Sequence, residues 1–291
     1  GVRDADTEYL QGGWGKYKVP FVFSTNGRPY NKQFETKSGV WFTDLRKNTN
    51  TPEALHNWFS PTGIEELLER DIEEGNQNLK ELPYDLLTNE DGLNLRDYQL
   101  QAIKEVEKAV LNGQTSILLA MATGTGKTRT ILGMMYRFLE TNRFRRILFL
   151  VDRTSLGEQA QDVFKEVRLA DLLTLNEIYN INELEDRTFE KEMRVQVATV
   201  QSMVKRILYN EEDRKPAVSD FDLIIIEEAH RGYKLDREMS EEEDLFRDQR
   251  DYQSKYRAVI DYFNGTKIGL TATPALHTTE IFGNPVYTYT Y

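Results

Sequence analysis

The chain changes its hydrophobic rhythm near position 95. Downstream of that point, short, mostly apolar runs alternate with segments whose apolar residues recur every three or four positions. The runs are 117–120, 147–151, 195–199, 223–226 and 267–271. Each is short for a helix and lacks the polar alternation of a strand with one wet face. Each therefore predicts a strand buried on both sides. Helical spacing is read over 98–111 (Ile103, Val106, Val110) and over 128–140 (Ile131, Leu132, Met135, Phe138, Leu139). Further helices are expected around 159–167 and 200–208. Strands and helices in this alternation predict an α/β fold, a parallel sheet with helices on both faces. Its ligands belong at the carboxyl ends of the strands.

Upstream the pattern is different. Val19-Pro20-Phe21-Val22-Phe23-Ser24 is a compact β run, Asn26-Gly27 is a hairpin signal, and a return strand is expected over 30–34. Val40-Trp41-Phe42 reads as another short strand. Ser60-Pro61 opens a helix carrying Ile64, Leu67 and Leu68, with Glu65 and Glu66 suited to its first turn. The polar stretch 76–94, with Pro83, reads as a connector. At the end of the chain, Tyr287, Tyr289 and Tyr291 alternate with Thr as in a strand, not as a base-stacking platform. The division expected is 1–60, small and β-rich; 61–94, a helical linker; and 95–291, the α/β lobe.

Composition narrows the function classes. With 39% hydrophobic residues in 291, the chain can bury a core. It has no cysteine, which removes disulfides and zinc–thiolate sites and fits a reducing, cytoplasmic location. No apolar run reaches the roughly 18 residues of a membrane span. A net charge of −11 weakens a nucleic-acid role without removing it. The charge is uneven, with acids gathered at 65–74 and 236–251 and a basic knot at Arg143, Arg145 and Arg146.

The candidate chemistry starts where the 117–120 run meets Thr123-Gly124-Thr125-Gly126-Lys127-Thr128 and then a helix. Gly124 and Gly126 let the backbone curl around an anion, and the helix start adds its positive dipole end. Lys127 supplies a charge for the β/γ-phosphates, and Thr128 a hydroxyl for Mg²⁺. The strict phosphate-loop pattern has Gly at the position held by Met121. After the 223–226 run come Glu227-Glu228-Ala229-His230. One carboxylate, Glu227, suits Mg²⁺; Glu228 suits the general base that deprotonates an attacking water. His230 is read as a link from this site to neighbouring elements. ATP and Mg²⁺ are the cofactors expected.

The ordered set Arg96-x-x-Gln99, Ala122 to Thr128, Leu148-Phe-Leu-Val-Asp152-Arg153, Val197-Ala-Thr199-Val-Gln201, Glu227-Glu-Ala-His230 and Thr271-Ala-Thr273 resembles helicase superfamily 2, first RecA-like lobe. The surrounding wording, including His230-Arg-Gly-Tyr233 and Gly269 to Thr279, is similar to the motor (restriction) subunit of type I restriction-modification enzymes. The segment 19–27 resembles the last part of that family's nuclease domain. The resemblance implies that Gln99, with Arg96 nearby, reads the adenine edge. It implies that Thr123, Gly124, Thr125, Gly126, Lys127 and Thr128 hold the phosphates and metal. Asp152, Arg153, Thr199 and Gln201 then touch the DNA backbone, and Thr271 and Thr273 couple hydrolysis to movement. The activity implied is ATP-driven translocation of double-stranded DNA, with modification and specificity subunits as partners and no membrane.

Three departures qualify that resemblance. The family's metal-holding residue is Asp, and Glu227 stands there instead. The second RecA-like lobe does not follow Thr273 before the sequence ends. Glu35-Thr36-Lys37 matches the family's Glu-x-Lys nuclease triplet by letter, but lies downstream of the 19–24 run instead of upstream. It reads as incidental, with the cutting residues outside this chain. Two rival readings remain: a nucleotide- and DNA-binding module with impaired turnover, and an RNA helicase of the same superfamily.

Overall fold

The computed structural model describes residues 17, 19–46, 52–90, 92–151, 181–182, 194–210, 215–227, 229 and 249–290. The chain divides into two compact units. One comprises residues 1–70 with 217–220 and 262–264; the other comprises 71–216, 221–261 and 265–291. The division at Arg70 and Asp71 falls inside the stretch 61–94.

In the first unit, β1 (Phe21–Thr25), β2 (Val40–Asp44) and β3 (Glu53–Leu55) form an antiparallel sheet in sequence order. Phe42 centres its aromatic core, 5.0 Å from Phe23 and 4.9 Å from Phe59 between ring centroids. Helix α1 (Pro61–Glu69) begins as its sequence predicts: the Ser60 side chain accepts from the Gly63 N–H, and Pro61 fills the first turn. The expected return strand over 30–34 does not form. Lys32–Lys37 is a 3-10 segment instead, and β1 pairs with β2. Asn26 and Gly27 do turn, with φ 77° at Gly27, but the strands rejoin only after Gly39. The Glu35 position therefore lies on a 3-10 turn and not on a strand.

The second unit holds a seven-stranded sheet in the order β10-β4-β9-β8-β5-β7-β6. Its members are β4 (Ser116–Met121), β5 (Ile147–Val151), β6 (Ile181–Asn182), β7 (Val195–Thr199), β8 (Leu223–Ile226), β9 (Thr266–Thr271) and β10 (Pro285–Tyr289). Every adjacent pair is parallel. Alternate residues of a strand face opposite sides. Ile117, Leu119, Phe149 and Ile225 lie in one apolar cluster with residues of the helices before and after β4. Leu118, Leu148, Leu150 and Ile224 on the other side are just as buried. Both faces are covered, as the mostly apolar runs predict.

The helices of this unit are α2 (Ile72–Glu81), α3 (Asp85–Thr88), α4 (Asp97–Leu111), α5 (Lys127–Glu140), α6 (Val200–Val204), α7 (Gln249–Tyr262) and α8 (Leu276–Phe282). The 61–94 stretch carries α1, α2 and α3; the Asp71 side chain caps α2, and apolar Leu79 and Leu87 are buried. One expectation needs correction. The 200–208 helix is α-helical only to Val204 and continues as a π-helix over Lys205–Tyr209. The helix expected at 159–167 lies outside the described residues.

Candidate nucleotide-binding site

Strand β4 delivers the glycine loop at the carboxyl edge of the sheet. Met121, its last residue, is fully buried and pairs with Tyr289 of β10. The position where the strict pattern has Gly is therefore part of the sheet here, and the turn starts one residue later. The Thr125 hydroxyl donates to the Ala122 carbonyl at 2.7 Å and closes that turn. Gly124 and Gly126 are left-handed, with φ of 80° and 75°. The N-cap of α5 is Gly126, which has no side chain to offer the first-turn N–H groups, and an anion suits a helix start of this kind.

Gly126 is constrained twice. A Cβ there would adopt an unfavourable φ and lie 2.7 Å from Gln99 Nε2. Gly126→Ala is expected to weaken nucleotide binding about five- to thirtyfold, from a left-handed penalty of about 1–2 kcal/mol. Titration with a fluorescent ATP analogue checks this, and unchanged affinity would show that the loop conformation is not used.

The loop is also held from outside by the start of α4. Gln99 Nε2 donates to the Thr125 carbonyl at 3.2 Å and to the Gly126 carbonyl at 3.0 Å. Gln99 Oε1 accepts from the Arg96 N–H at 2.9 Å, fixing the helix start. The Tyr98 hydroxyl donates to the Thr125 carbonyl at 3.1 Å. Both ends of the Gln99 amide are thus engaged within the chain, and Arg96 contributes its backbone while its side chain is exposed.

The acidic partner comes from β8, two strands away. The Glu227 N–H donates to the Leu150 carbonyl at 3.0 Å, carrying the strand ladder one residue further. Glu227 and Lys127 are each only 7% exposed. The Thr128 hydroxyl donates to Glu227 Oε1 at 3.1 Å. Adjacent oxygen ligands on an octahedral Mg²⁺ sit about 2.9 Å apart, given bonds of about 2.0–2.1 Å. The two oxygens therefore have a spacing that such an ion accepts. Among the described residues no three His, Asp or Glu side chains form a metal site by themselves. A Mg²⁺ ion held through one or two protein oxygens plus substrate phosphates fits that arrangement.

The other predicted positions spread along the same edge. Thr271 ends β9 beside Ala120; its hydroxyl donates to the Thr273 carbonyl at 3.1 Å and accepts from the Thr273 N–H at 3.2 Å. Thr123 and Thr273 are exposed. Thr199 ends β7 and Gln201 lies in α6 just after it; β9, β8 and β5 stand between that strand and β4. Thr199 caps α6 by accepting from the Ser202 N–H at 3.1 Å. Gln201 is buried, and its Oε1 has no hydrogen-bond partner among the described residues. Asp152, Arg153, Glu228 and His230 lie outside the described residues. Sequence reasoning misses Tyr98 and Thr130 as loop contacts; Gln99 Nε2 also lies 3.4 Å from the Thr130 hydroxyl. The only signal for Tyr98 is its place beside Gln99.

Residues 92–276 match the family model described as Type III restriction enzyme, res subunit. Residues 2–68 match a second model, the type I restriction enzyme EcoKI endonuclease subunit second domain. The chain belongs to the restriction endonuclease subunit family, type I branch. The helicase-like domain, residues 92–276, lies mostly in the second unit. The chain is 49% identical to the type I restriction enzyme EcoKI endonuclease subunit of Escherichia coli K12 over 276 residues, which is 95% of this chain and 23% of that one. It is 34% identical to the EcoAI endonuclease subunit of Escherichia coli, over 93% of this chain and 30% of that one. Among solved structures it resembles a fragment of a chain assigned as the HsdR subunit of a type I restriction enzyme from Vibrio vulnificus YJ016. That likeness has a TM-score of 0.47 and 25% identity, and covers 93% of this chain and 41% of that one. The chain thus spans between a fifth and a third of the length of these two curated relatives. No helix among the described residues is long and apolar enough to cross a membrane.

Proposed function

We propose that the second unit is the ATP-hydrolysing first lobe of a double-stranded DNA translocase, working within a cytoplasmic type I restriction complex. The observation that carries this reading is the Thr128–Glu227 hydrogen bond, which joins the glycine loop and the acidic strand end across one pocket. Lys127 and the N–H groups of the loop would bind the β/γ-phosphates, and Thr128 and Glu227 would hold Mg²⁺. The ion, when bound, neutralises charge on the transferred phosphoryl group. Glu228 is the general base in this reading and His230 the link to coupling elements. Thr271 and Thr273 belong to coupling, and Asp152, Arg153, Thr199 and Gln201 to the DNA face. For Gln99 to meet an adenine edge, Nε2 must give up a loop carbonyl, so loop and base recognition are linked. Residues 1–60 are the closing part of a nuclease-like domain, whose cutting residues lie elsewhere, and the modification and specificity subunits are the partners. ATPase assays with duplex DNA and duplex RNA test the motor: DNA-specific stimulation is expected, and equal stimulation by RNA contradicts it.

The second reading, binding with slow turnover, is favoured by one particular observation. Glu227 is one methylene longer than the family's Asp and already reaches the Thr128 hydroxyl, which the metal would need. Glu227→Asp is expected to release Thr128 and lower the Mg²⁺ concentration needed for tight nucleotide binding several-fold. Titration of nucleotide affinity against Mg²⁺ checks this, and a higher requirement in the Asp variant would show that Glu227 is suited to the ion.

A further inference from the structure

The edge strand β10 is tied to the glycine loop through two tyrosines. The rings of Tyr289 and Tyr98 stack, with centroids 4.0 Å apart and planes 8° from parallel. The Tyr98 hydroxyl donates to the Thr125 carbonyl at 3.1 Å. At the other end of the turn, the Ala122 N–H donates to the Tyr289 carbonyl at 3.1 Å. Tyr289 therefore touches the loop where it leaves β4, and touches through Tyr98 the carbonyl just ahead of Gly126. The register of β10 against β4 shifts between Pro285 and Tyr287, an irregularity of the kind that re-aims side chains. After it, Tyr287 and Tyr289 occupy alternate positions on one side of the strand. Tyr287 and Tyr98 both pack against the apolar cluster beneath α4.

We propose that the Tyr98–Tyr289 stack is a positioning device for the phosphate loop, through which the placement of β10 sets nucleotide affinity. The Tyr98 ring has one face on Tyr289, and the stack fixes the direction of its hydroxyl. That hydroxyl and Gln99 Nε2 together occupy the Thr125 carbonyl, so the loop is shaped before the anion arrives. Preorganisation of this sort acts on affinity more than on the chemical step, because the Tyr98 hydroxyl is engaged by the Thr125 carbonyl and Tyr289 acts through Tyr98. A displacement of β10 would separate the rings, release Thr125 and weaken nucleotide binding. The inference rests on the nucleotide reading of the loop.

The test is a double-mutant cycle on MgATP affinity, read by titration with a fluorescent ATP analogue, with thermal melting as a check on folding. Tyr98→Phe keeps the ring and removes the hydroxyl; Tyr289→Ala removes the stack and keeps the backbone carbonyl. Each is expected to weaken binding about three- to tenfold. The double variant should be no weaker than the worse single one, and Tyr289→Phe should restore wild-type affinity. Where hydrolysis is measurable, KM rises and kcat holds. Effects that multiply in the double variant, or an unchanged affinity in Tyr289→Ala, overturn the proposal. Tyr289→Leu, which keeps bulk without a ring face, decides the matter if the Ala variant does not fold: wild-type affinity there counts against the stack. Lys127→Ala separates the two levels. If it binds as well as the wild type, the nucleotide reading itself fails; if it does not and the tyrosine variants bind normally, only the positioning role fails.

Discussion

Lys127→Ala is expected to weaken MgATP binding by about 10- to 100-fold and to abolish hydrolysis stimulated by duplex DNA. Lys127 is the first residue of α5, immediately after a left-handed glycine, and is 7% exposed. A buried lysine at the start of a helix whose N-cap is glycine adds a charge where the backbone already favours anions. Removing it leaves the loop geometry intact, because the Thr125 and Gly126 carbonyls are held by Tyr98 and Gln99. The loss should therefore appear in affinity while the melting temperature stays close to wild type. A drop in both by the same variant would mean that Lys127 supports the fold and not the ligand.

The largest effect on stability is expected ten residues further along the same helix. Arg137 is fully buried in α5, and each of the five N–H donors of its guanidinium has a partner. Two go to the Glu107 carboxylate on α4, and the others to the carbonyls of Leu79, Leu82 and Pro83 at the end of α2. The guanidinium also lies 3.7 Å from the centroid of the Tyr84 ring, whose hydroxyl donates to Glu107 at 2.6 Å. One cation thus caps α2, pairs with α4 and anchors the 76–94 stretch to α5. Arg137→Met should cost about 3–5 kcal/mol in chemical denaturation, since it strands a buried carboxylate. Pairing it with Glu107→Leu should recover much of that loss. A single variant within about 1 kcal/mol of wild type would show that the network is not holding the unit together.

The same network carries a pH signature. Burial first, and then the hydrogen bond to Glu107, push the Tyr84 phenol well above its ordinary 10.0. The folded state therefore prefers the protonated phenol. Its contribution is complete below about pH 10 and declines as pH rises beyond that value toward the folded-state pKa.

Much of the second unit is legible in the sequence because its strands are buried on both faces. Runs such as 147–151 and 223–226 have no other reading at that length, and the glycine loop marks the carboxyl end of β4 as the candidate site. Less legible are elements whose stability is not local. The 76–94 stretch looks like a polar connector because its helix ends on Arg137, some fifty residues later in the chain. Arg137 itself is hidden in sequence: a lone cation on a helix is ordinarily solvated, and only burial all round α5 reveals otherwise. The 30–34 segment departs from the expected return strand because Asn26-Gly27 specifies a turn and leaves the conformation of the next residues open. The tyrosine alternation near the end of the chain does give a strand. That Tyr289 meets Tyr98 depends on a register shift that no period in the sequence records.

Whether the glycine loop and Glu227 share one metal–nucleotide pocket is decided by a crystal structure of the chain with Mg²⁺ and a non-hydrolysable ATP analogue. The metal is expected about 2.1 Å from the Thr128 hydroxyl, with the Glu227 carboxylate on it directly or through one water. The β- and γ-phosphates should lie against Lys127 and the N–H groups at the start of α5. A bound analogue whose phosphates lie elsewhere, or a metal site remote from Glu227 while Thr128 still donates to that carboxylate, would contradict the shared pocket.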